Sequence, residues 1–184
     1  MAVVEMMNAA SPLKDFLRGV SIEVMPRTAA KIDDFKPLLA PGSRIYLAHI
    51  EGTPIDEMIT TAKRLARDGF EVMPHFPARI IANAAVLEDW ITRYAGEAGV
   101  RSALVLAGGV AKPVGNFHSS MQLMETGLFE KHGYRRLHVA GHPEGNADAE
   151  PKGQTEVVDA ALAWKQAYAT ATGTEMAITT QFVF

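Results

Sequence analysis

Acidic residues and histidines that can transfer protons lie in or after short apolar segments of the sequence. Glycines that would let a flat ligand approach the backbone lie at one of the same places. Glu23 lies in SIEVMP, His49 in YLAHIEG, and His75 and Arg79 in MPHFPAR, while Gly108 and Gly109 follow LVLA. Later apolar segments add His142, Glu144 and Gln181. Carboxyl and imidazole groups serve as general acids and bases, and glycines let the backbone approach a ligand closely. This distribution predicts one site assembled where several strands end.

The apolar segments that precede these side chains have the length and composition of β-strands. Each is too short for a helix and is bounded by Gly or Pro, which predicts strands at 19–26, 44–50, 70–76, 101–109, 136–143 and 175–184. Helical periodicity lies between the strands, at 52–69, 83–99, 119–133 and 155–173. Residues 31–42 are predicted to form a short first helix. The alternation of strand and helix predicts a parallel sheet covered on both faces.

The segment 52–69 carries the clearest helix signals. Thr53 is predicted to cap the helix, Pro54 fits its first turn, and Gly69 suits the left-handed residue that ends it. Its apolar face comprises Ile55, Met58, Ile59, Ala62, Leu65 and Ala66. In 83–99 the residues predicted to face inward are Leu87, Trp90, Ile91 and Tyr94.

Two architectures fit this pattern, an open doubly wound sheet and a closed (β/α) barrel. An open sheet usually gathers its ligand contacts near one switch point, whereas here at least five strands contribute, which favours a barrel. A βα repeat needs about 30 residues and a full TIM-type barrel about 250. We therefore expect residues 1–184 to form a single parallel (β/α)-barrel domain with about six of eight units, incomplete at the C-terminus.

Composition excludes several classes of protein. The net charge is -3, so no basic surface invites nucleic acid or an anionic membrane. The chain has no cysteine, which excludes disulfides and thiolate metal sites. Its apolar runs are shorter than a membrane span, and its start lacks the features of a secretion signal, so a cytoplasmic protein is expected.

A metal-dependent barrel hydrolase is one function that these residues allow. His49, His75 and His142 with Glu23 could offer nitrogen and oxygen ligands to zinc or a similar ion. Against this hypothesis, the first strand has no His-x-His pair and no strand ends in Asp. Purely structural interpretations of these residues also stay open. Glu23 could form an ion pair at the end of a strand, and His49 could serve the structure alone. Three further histidines could lie at the surface or in the core, namely His118, His132 and His138.

Five segments in chain order, SIEVMPRT, PHFPAR, LVLAGG, VAGHPEGNADA and AITTQFVF, together resemble the methylenetetrahydrofolate reductase family. The resemblance implies a (β/α)₈ barrel with FAD at the carboxyl ends of the strands. It also implies an oxidoreductase acting on CH–NH groups, which reduces 5,10-methylenetetrahydrofolate to 5-methyltetrahydrofolate with NAD(P)H as co-substrate. The expected binding partner is therefore a tetrahydrofolate derivative.

The resemblance also implies a role for individual residues. Glu23 corresponds to the general acid that helps open the methylene bridge, and Gln181, Glu23 and Phe184 are expected to bind the folate. The residues expected to bind the cofactor are His49, His75, Ala107, Gly108, Gly109, Phe117, His118, His142, Glu144 and Lys165.

The turn after the fourth strand departs from the family pattern. The family has Arg-Gly-Asp where this sequence has Ala107, Gly108 and Gly109, and Asn146 replaces a histidine. These changes predict that FAD is held weakly or not at all and that hydride can pass directly from nicotinamide to folate. The alternative is a non-catalytic folate-binding or complex-forming subunit. Unpaired edges on the first and sixth strands predict a homo-oligomer or a partner chain that covers the open barrel.

Overall fold

The computed structural model describes residues 16–180, which form alternating strands and helices. The strands are β1 (Ile22–Val24), β2 (Arg44–Leu47), β3 (Glu71–Pro77), β4 (Ser102–Leu106), β5 (Arg136–Gly141) and β6 (Glu175–Thr180). The helices are α1 (Pro26–Ala29), α2 (Ile55–Arg67), α3 (Ala84–Ala98), α4 (Ser120–Glu125), α5 (Leu128–Lys131) and α6 (Glu156–Thr172). A 3₁₀ turn at Ala78–Ile80 follows β3. Five of the six described strands fall within predicted strand segments, and β3 extends one residue beyond the predicted segment 70–76.

The six strands form one parallel sheet in the order β1-β2-β3-β4-β5-β6. Every strand pairs in parallel with the strand that precedes or follows it in the chain. A doubly wound sheet requires a point at which the strand order reverses. The described sheet contains no such reversal, so the open doubly wound alternative is wrong.

A hydrogen bond across the concave face shows that the sheet is curled. The Tyr46 hydroxyl on β2 lies 2.7 Å from Nδ1 of His138 on β5. Two strands separate β2 from β5, and in a flat sheet three interstrand spacings would place them about 14 Å apart. The six strands therefore form a curled half-barrel, with Tyr46 and His138 on its inner face.

Alternation along the strands separates this inner face from a core beneath the helices. Buried apolar residues of the strands, such as Ile45, Val72 and Phe76, belong to the same core cluster as residues of α2 and α3. All four inward residues predicted for 83–99 are buried, and Met58, Ile59, Ala62 and Leu65 form the buried face of α2. The core thus joins sheet and helices as the sequence periodicity predicts.

The last helix is less well covered than the others. Lys165 is the one buried residue of α6 within the described part of the chain. Val157 and Leu162 on α6 are exposed, and Ile178 on β6 is 53% exposed. The final βα unit therefore leaves apolar surface beside the outer edge of β6. No described helix has the length and apolar character needed to cross a membrane.

The prediction of a helix over residues 31–42 is wrong. The short helix α1 precedes this segment, and the Met25 amide donates to the Thr28 hydroxyl at 2.9 Å where that helix begins. The segment itself consists of turns and bends, and the Asp34 carboxylate accepts a hydrogen bond from the Lys36 amide at 2.9 Å. A short acidic side chain that satisfies the backbone in this way favours a turn over a helix.

Two other helix predictions need correction. Pro54, and not Thr53, is the N-cap residue of α2, and no side chain caps this end. The segment 119–133 is divided into α4 and α5 because Gly127 adopts a left-handed conformation with φ of 67°. The predicted role of Gly69 is confirmed, since its φ is 94° directly after the end of α2.

Candidate functional site

Glu23 and His75 meet at the inner face of the half-barrel. Glu23 lies in the centre of β1, and His75 lies near the carboxyl end of β3. Oε2 of Glu23 is 3.4 Å from Nε2 of His75, although β2 separates the two strands. The curl of the sheet therefore brings together two of the side chains that the sequence predicted at strand ends.

His75 is the buried member of this pair. Its residue is 9% exposed, and its ring packs edge-on against Tyr46 with 6.2 Å between ring centroids. Burial, with a smaller contribution from nearby His49, lowers the pKa of His75 to about 4. The imidazole is therefore neutral near pH 7, and its buried Nε2 makes no hydrogen bond of good geometry within the described residues.

Glu23 is the exposed member. Its side chain is 61% exposed, even though its neighbours in sequence are apolar. Ile22 and Val24 flank it in the strand, but both pack with the core beneath the helices. Because adjacent side chains of a strand point to opposite faces, these neighbours do not enclose the carboxylate. The carboxylate can therefore reach a bound molecule while it contacts a buried imidazole.

His49, near His75, is held in place by contacts within the protein. Its Nε2 donates a hydrogen bond to the Thr53 carbonyl at 3.0 Å, which leaves Nδ1 without a proton. The ring lies against Trp90 with 4.5 Å between centroids. Burial lowers the pKa of His49, and the hydrogen bond to Thr53 opposes that effect. Its buried Nδ1 has no partner among the described groups, so His49 is a neutral acceptor beside His75.

The turn after β4 is fastened to the 3₁₀ turn after β3 by Arg79. The Arg79 amide donates to the Ala107 carbonyl at 2.9 Å, and its guanidinium donates to the carbonyls of Val110 and His118, each at 3.3 Å. Gly108 has φ of 91°, and a Cβ atom there would lie 3.0 Å from Cβ of Pro77. The sequence placed Arg79 at a strand end but gave it no role in the site, because the partners of its guanidinium are backbone carbonyls 31 and 39 positions away.

Phe117 and His118 differ in exposure. Phe117 belongs to the hydrophobic core and is buried, so little of its ring is available to a cofactor. His118 is exposed, and its amide donates to the Gln122 side chain at 2.6 Å. These two predicted cofactor-binding residues therefore anchor the loop in the described structure.

Lys165 and His142 lie beside the carboxyl end of β5. The buried Lys165 ammonium donates to the Ala140 carbonyl at 3.2 Å, and burial lowers the pKa of Lys165. His142 is exposed, and its Nε2 accepts a hydrogen bond from the side-chain amide of Asn146 at 3.4 Å. Burial, and secondly the charge of Lys165, lowers the pKa of His142. Glu144 is exposed in the same loop.

The predicted folate ligands Gln181 and Phe184 lie outside the described residues. Their predicted contacts with folate stay predictions. Of the three residues expected to bind folate, Glu23 alone falls within 16–180, and its carboxylate is available to a ligand.

Two cavities of about 340 and 370 Å³ lie at the opposite, amino-terminal end of the sheet. Arg44 pairs with Glu71 at 3.0 Å, and Arg136 pairs with Glu175 at 2.7 Å and with Glu71 at 3.6 Å. The two carboxylates are ion-paired, but the cavities are also lined by Arg101 and Arg135, so this end carries an excess of positive charge. Side chains at the amino-terminal face of such sheets usually serve stability.

Metal ions need a cluster of ligands, and a flavin held by charge needs a charged side chain near the turn after β4. Among residues 16–180, no group of three or more His, Asp or Glu side chains lies close enough to hold a metal ion. For FAD, the turn 107–109 offers backbone and no charged side chain. Arg79 and Lys165 both donate to backbone carbonyls. The turn 107–109 therefore offers a flavin no charged side chain of its own.

Comparison with known families gives no assignment, since the chain matches no protein-family model. The resemblance of the five sequence segments therefore has no independent support.

Proposed function

We propose that this protein is a methylenetetrahydrofolate reductase-like oxidoreductase that uses NAD(P)H to reduce 5,10-methylenetetrahydrofolate to 5-methyltetrahydrofolate. The observation that carries the proposal is the contact between the exposed carboxyl of Glu23 and the buried, neutral imidazole of His75, 3.4 Å apart at the inner face of a parallel half-barrel. A carboxyl group in this position is suited to general acid catalysis. The five-segment resemblance supplies the substrate class.

In this reaction Glu23 donates one proton and the reduced nicotinamide donates one hydride. Glu23 donates its proton to a nitrogen of the methylene bridge as the carbon–nitrogen bond breaks, and that nitrogen keeps the bonding electrons. The methylene carbon, now an iminium on the other nitrogen, accepts a hydride from NAD(P)H and becomes a methyl group. The nicotinamide is oxidised, and Glu23 regains a proton from solvent, which its exposure permits.

Direct hydride transfer is favoured over a route through a bound flavin. The turn 107–109 lacks a charged side chain, and Arg79 and Lys165 are engaged with backbone carbonyls. A hydrogen bond to a charged group is worth about 1.5–3 kcal/mol. Loss of one such contact corresponds to roughly ten- to a hundredfold weaker FAD binding. We therefore infer that the purified protein contains little FAD.

A TIM-type barrel in the cytoplasm is the setting that we propose for this site. Six sequential parallel strands are consistent with about six of the eight units of such a barrel. Apolar side chains are exposed beside β6, and β1 and β6 each pair on one side only within residues 16–180. A second copy or a partner chain that covers this open side would bury that surface.

Substitution of Glu23 tests the proposal. The native protein is mixed with NAD(P)H and 5,10-methylenetetrahydrofolate, with and without added FAD, and nicotinamide oxidation is followed by absorbance. Glu23→Gln should lower turnover by about 10² to 10⁴ while folate binding, measured by calorimetry, stays within a fewfold of the native value. Glu51→Gln, at an exposed position in the loop after β2, serves as the control. Near-native turnover of Glu23→Gln would contradict the assignment.

The test also separates the proposal from its main alternative. The lack of a charged side chain at the turn 107–109 also agrees with a non-catalytic folate-binding subunit. Tight folate binding by the native protein with no nicotinamide oxidation, with or without FAD, would favour that alternative.

A further inference from the structure

The contact between Glu23 and His75 raises the question of where a shared proton resides. Three groups with polar or titratable atoms surround the His75 ring: the Glu23 carboxyl from β1, the Tyr46 ring from β2, and His49 after β2. His49 is neutral, because its own pKa is lowered by burial. The carboxyl is therefore the charged partner to consider for Nε2 of His75.

A single proton added to this pair has two sites. It can convert His75 to imidazolium beside a carboxylate, or it can stay on Glu23 and point at a neutral Nε2. Burial of His75 penalises the imidazolium, as a charged group transferred from water into an apolar site is disfavoured. The exposed carboxyl pays no such penalty when it is neutral. The burial penalty therefore falls on a proton at His75 and not on a proton at the exposed carboxyl.

We propose that His75 is a positioning residue which, as a neutral hydrogen-bond acceptor, holds a proton on the Glu23 carboxyl. The role of this proton in catalysis rests on the proposed function, whereas the hydrogen bond between Glu23 and His75 does not. A hydrogen bond to the protonated form of an acid favours that form. The apolar neighbours of Glu23 do not enclose its carboxyl group. His75 instead supplies a hydrogen-bond acceptor for the proton on that exposed group.

The unpaired Nε2 of His75 is the second observation behind the proposal. Buried polar atoms usually have a hydrogen-bond partner, and unpaired ones call for an explanation. Nε2 is buried and without a partner of good geometry among the described groups, yet Oε2 of Glu23 lies 3.4 Å away. A shift of a few tenths of an ångström in the exposed carboxyl would complete a hydrogen bond. The site is therefore arranged for a bond that forms when Glu23 is protonated.

Kinetics of two His75 variants test the positioning role. His75→Phe removes the acceptor, and His75→Gln retains a carbonyl oxygen near the position of Nε2. We expect His75→Phe to lower kcat about tenfold at pH 7.5 and less than twofold at pH 5.5, with KM unchanged. His75→Gln should recover most of the loss at pH 7.5. An equal loss at both pH values in both variants would show a merely structural role and overturn the proposal.

A second measurement does not depend on activity or on a change in the core. The ring nitrogens of His75 are followed by ¹⁵N NMR as the pH of the native protein is lowered. We expect two changes in the His75 signals, the first from protonation of Glu23 and the second from protonation of the ring itself. Glu23→Gln, at an exposed position, should show only the second. His138, whose pKa is also about 4 and which contacts Tyr46, should change once in both proteins.

The outcomes distinguish the inference from the function on which it rests. A single His75 change in the native protein, or a first change with the shifts of a doubly protonated ring, would overturn the inference. Two changes in a protein that reduces no methylenetetrahydrofolate would leave the proton-sharing pair intact and refute the proposed function. Folate reduction that depends on Glu23, with one His75 change, would support the function and refute the pair.

Discussion

Substitution of Gly115 by alanine should destabilise the protein through the loop that follows β4. This loop lies against the segment after β3, where the Val114 amide donates to the Arg79 carbonyl at 2.8 Å and the Asn116 amide donates to the Ala82 carbonyl at 3.3 Å. A Cβ atom on Gly115 would lie 1.8 Å from the Ala82 carbonyl oxygen. Since that oxygen belongs to the backbone, rotation of a side chain cannot relieve the clash.

The magnitude follows from the displacement that the clash requires. Real Cβ atoms essentially never approach closer than 3.0 Å, so the loop must move by at least 3.0 − 1.8 = 1.2 Å. Overpacking of this kind costs about 1–3 kcal/mol, and loss of the Asn116 hydrogen bond adds about 1 kcal/mol. We expect Gly115→Ala to lower the free energy of unfolding by about 2–4 kcal/mol, which corresponds to a fall in Tm of roughly 4–16 °C.

Urea denaturation of Gly115→Ala and a matched variant measures this effect. Gly109→Ala lies in the same loop, has no atom within 4 Å of the added Cβ and does not have a left-handed backbone. It should change the free energy of unfolding by less than about 0.5 kcal/mol. Both variants should keep the native dependence of that free energy on urea concentration. If Gly115→Ala were as stable as Gly109→Ala, the close approach of this loop to Ala82 would be refuted.

Three further predictions concern stability. Gly96→Ala, at an exposed position within α3, should raise the free energy of unfolding by about 0.5–1 kcal/mol in urea denaturation, and no gain would argue against a helix at this position. Tyr46→Phe leaves Nδ1 of His138 without its partner and should cost about 1–3 kcal/mol, a loss that the double variant with His138→Leu should reduce. The pKa of His75 is about 4 in the folded protein, below the ordinary value of 6.5, so the unfolded chain binds more protons between these values and stability should fall as pH drops from 6.5 to 4. The loss from His75 is at most about 3 kcal/mol by urea denaturation, and a native-like pH dependence in His75→Gln would contradict this origin.

The sequence predicted elements well where a local pattern determined them. The apolar face of α2 and the left-handed Gly69 at its end both follow from residues close in the chain. The prediction failed at 31–42, where the Asp34 side chain binds the Lys36 amide and competes with a helical hydrogen-bond pattern. It also missed the break at Gly127, because helical periodicity continues on both sides of that residue.

The site was predictable in part. Glu23 and His75 were recognised because both lie in strands whose carboxyl ends meet at one edge of a parallel sheet. The exposure of Glu23 and the burial of His75 depend on the curl of the sheet, which no local pattern specifies. The bond between Tyr46 and His138 joins residues 92 positions apart, and the contacts of Arg79 end on backbone carbonyls. Side-chain types in a sequence do not reveal partners of that kind.

The sequential strand order implies a gradient of local stability along the chain. Within residues 16–180 each strand pairs only with its neighbours in sequence, so separation of β6 with α6 breaks one backbone ladder of the described sheet, the one to β5. Helix α6 buries only Lys165 among its described residues, whereas α2 and α3 each bury four. Amide protons of this last unit should therefore exchange with solvent through local opening, while those of β2, β3 and β4 exchange only when the whole domain unfolds.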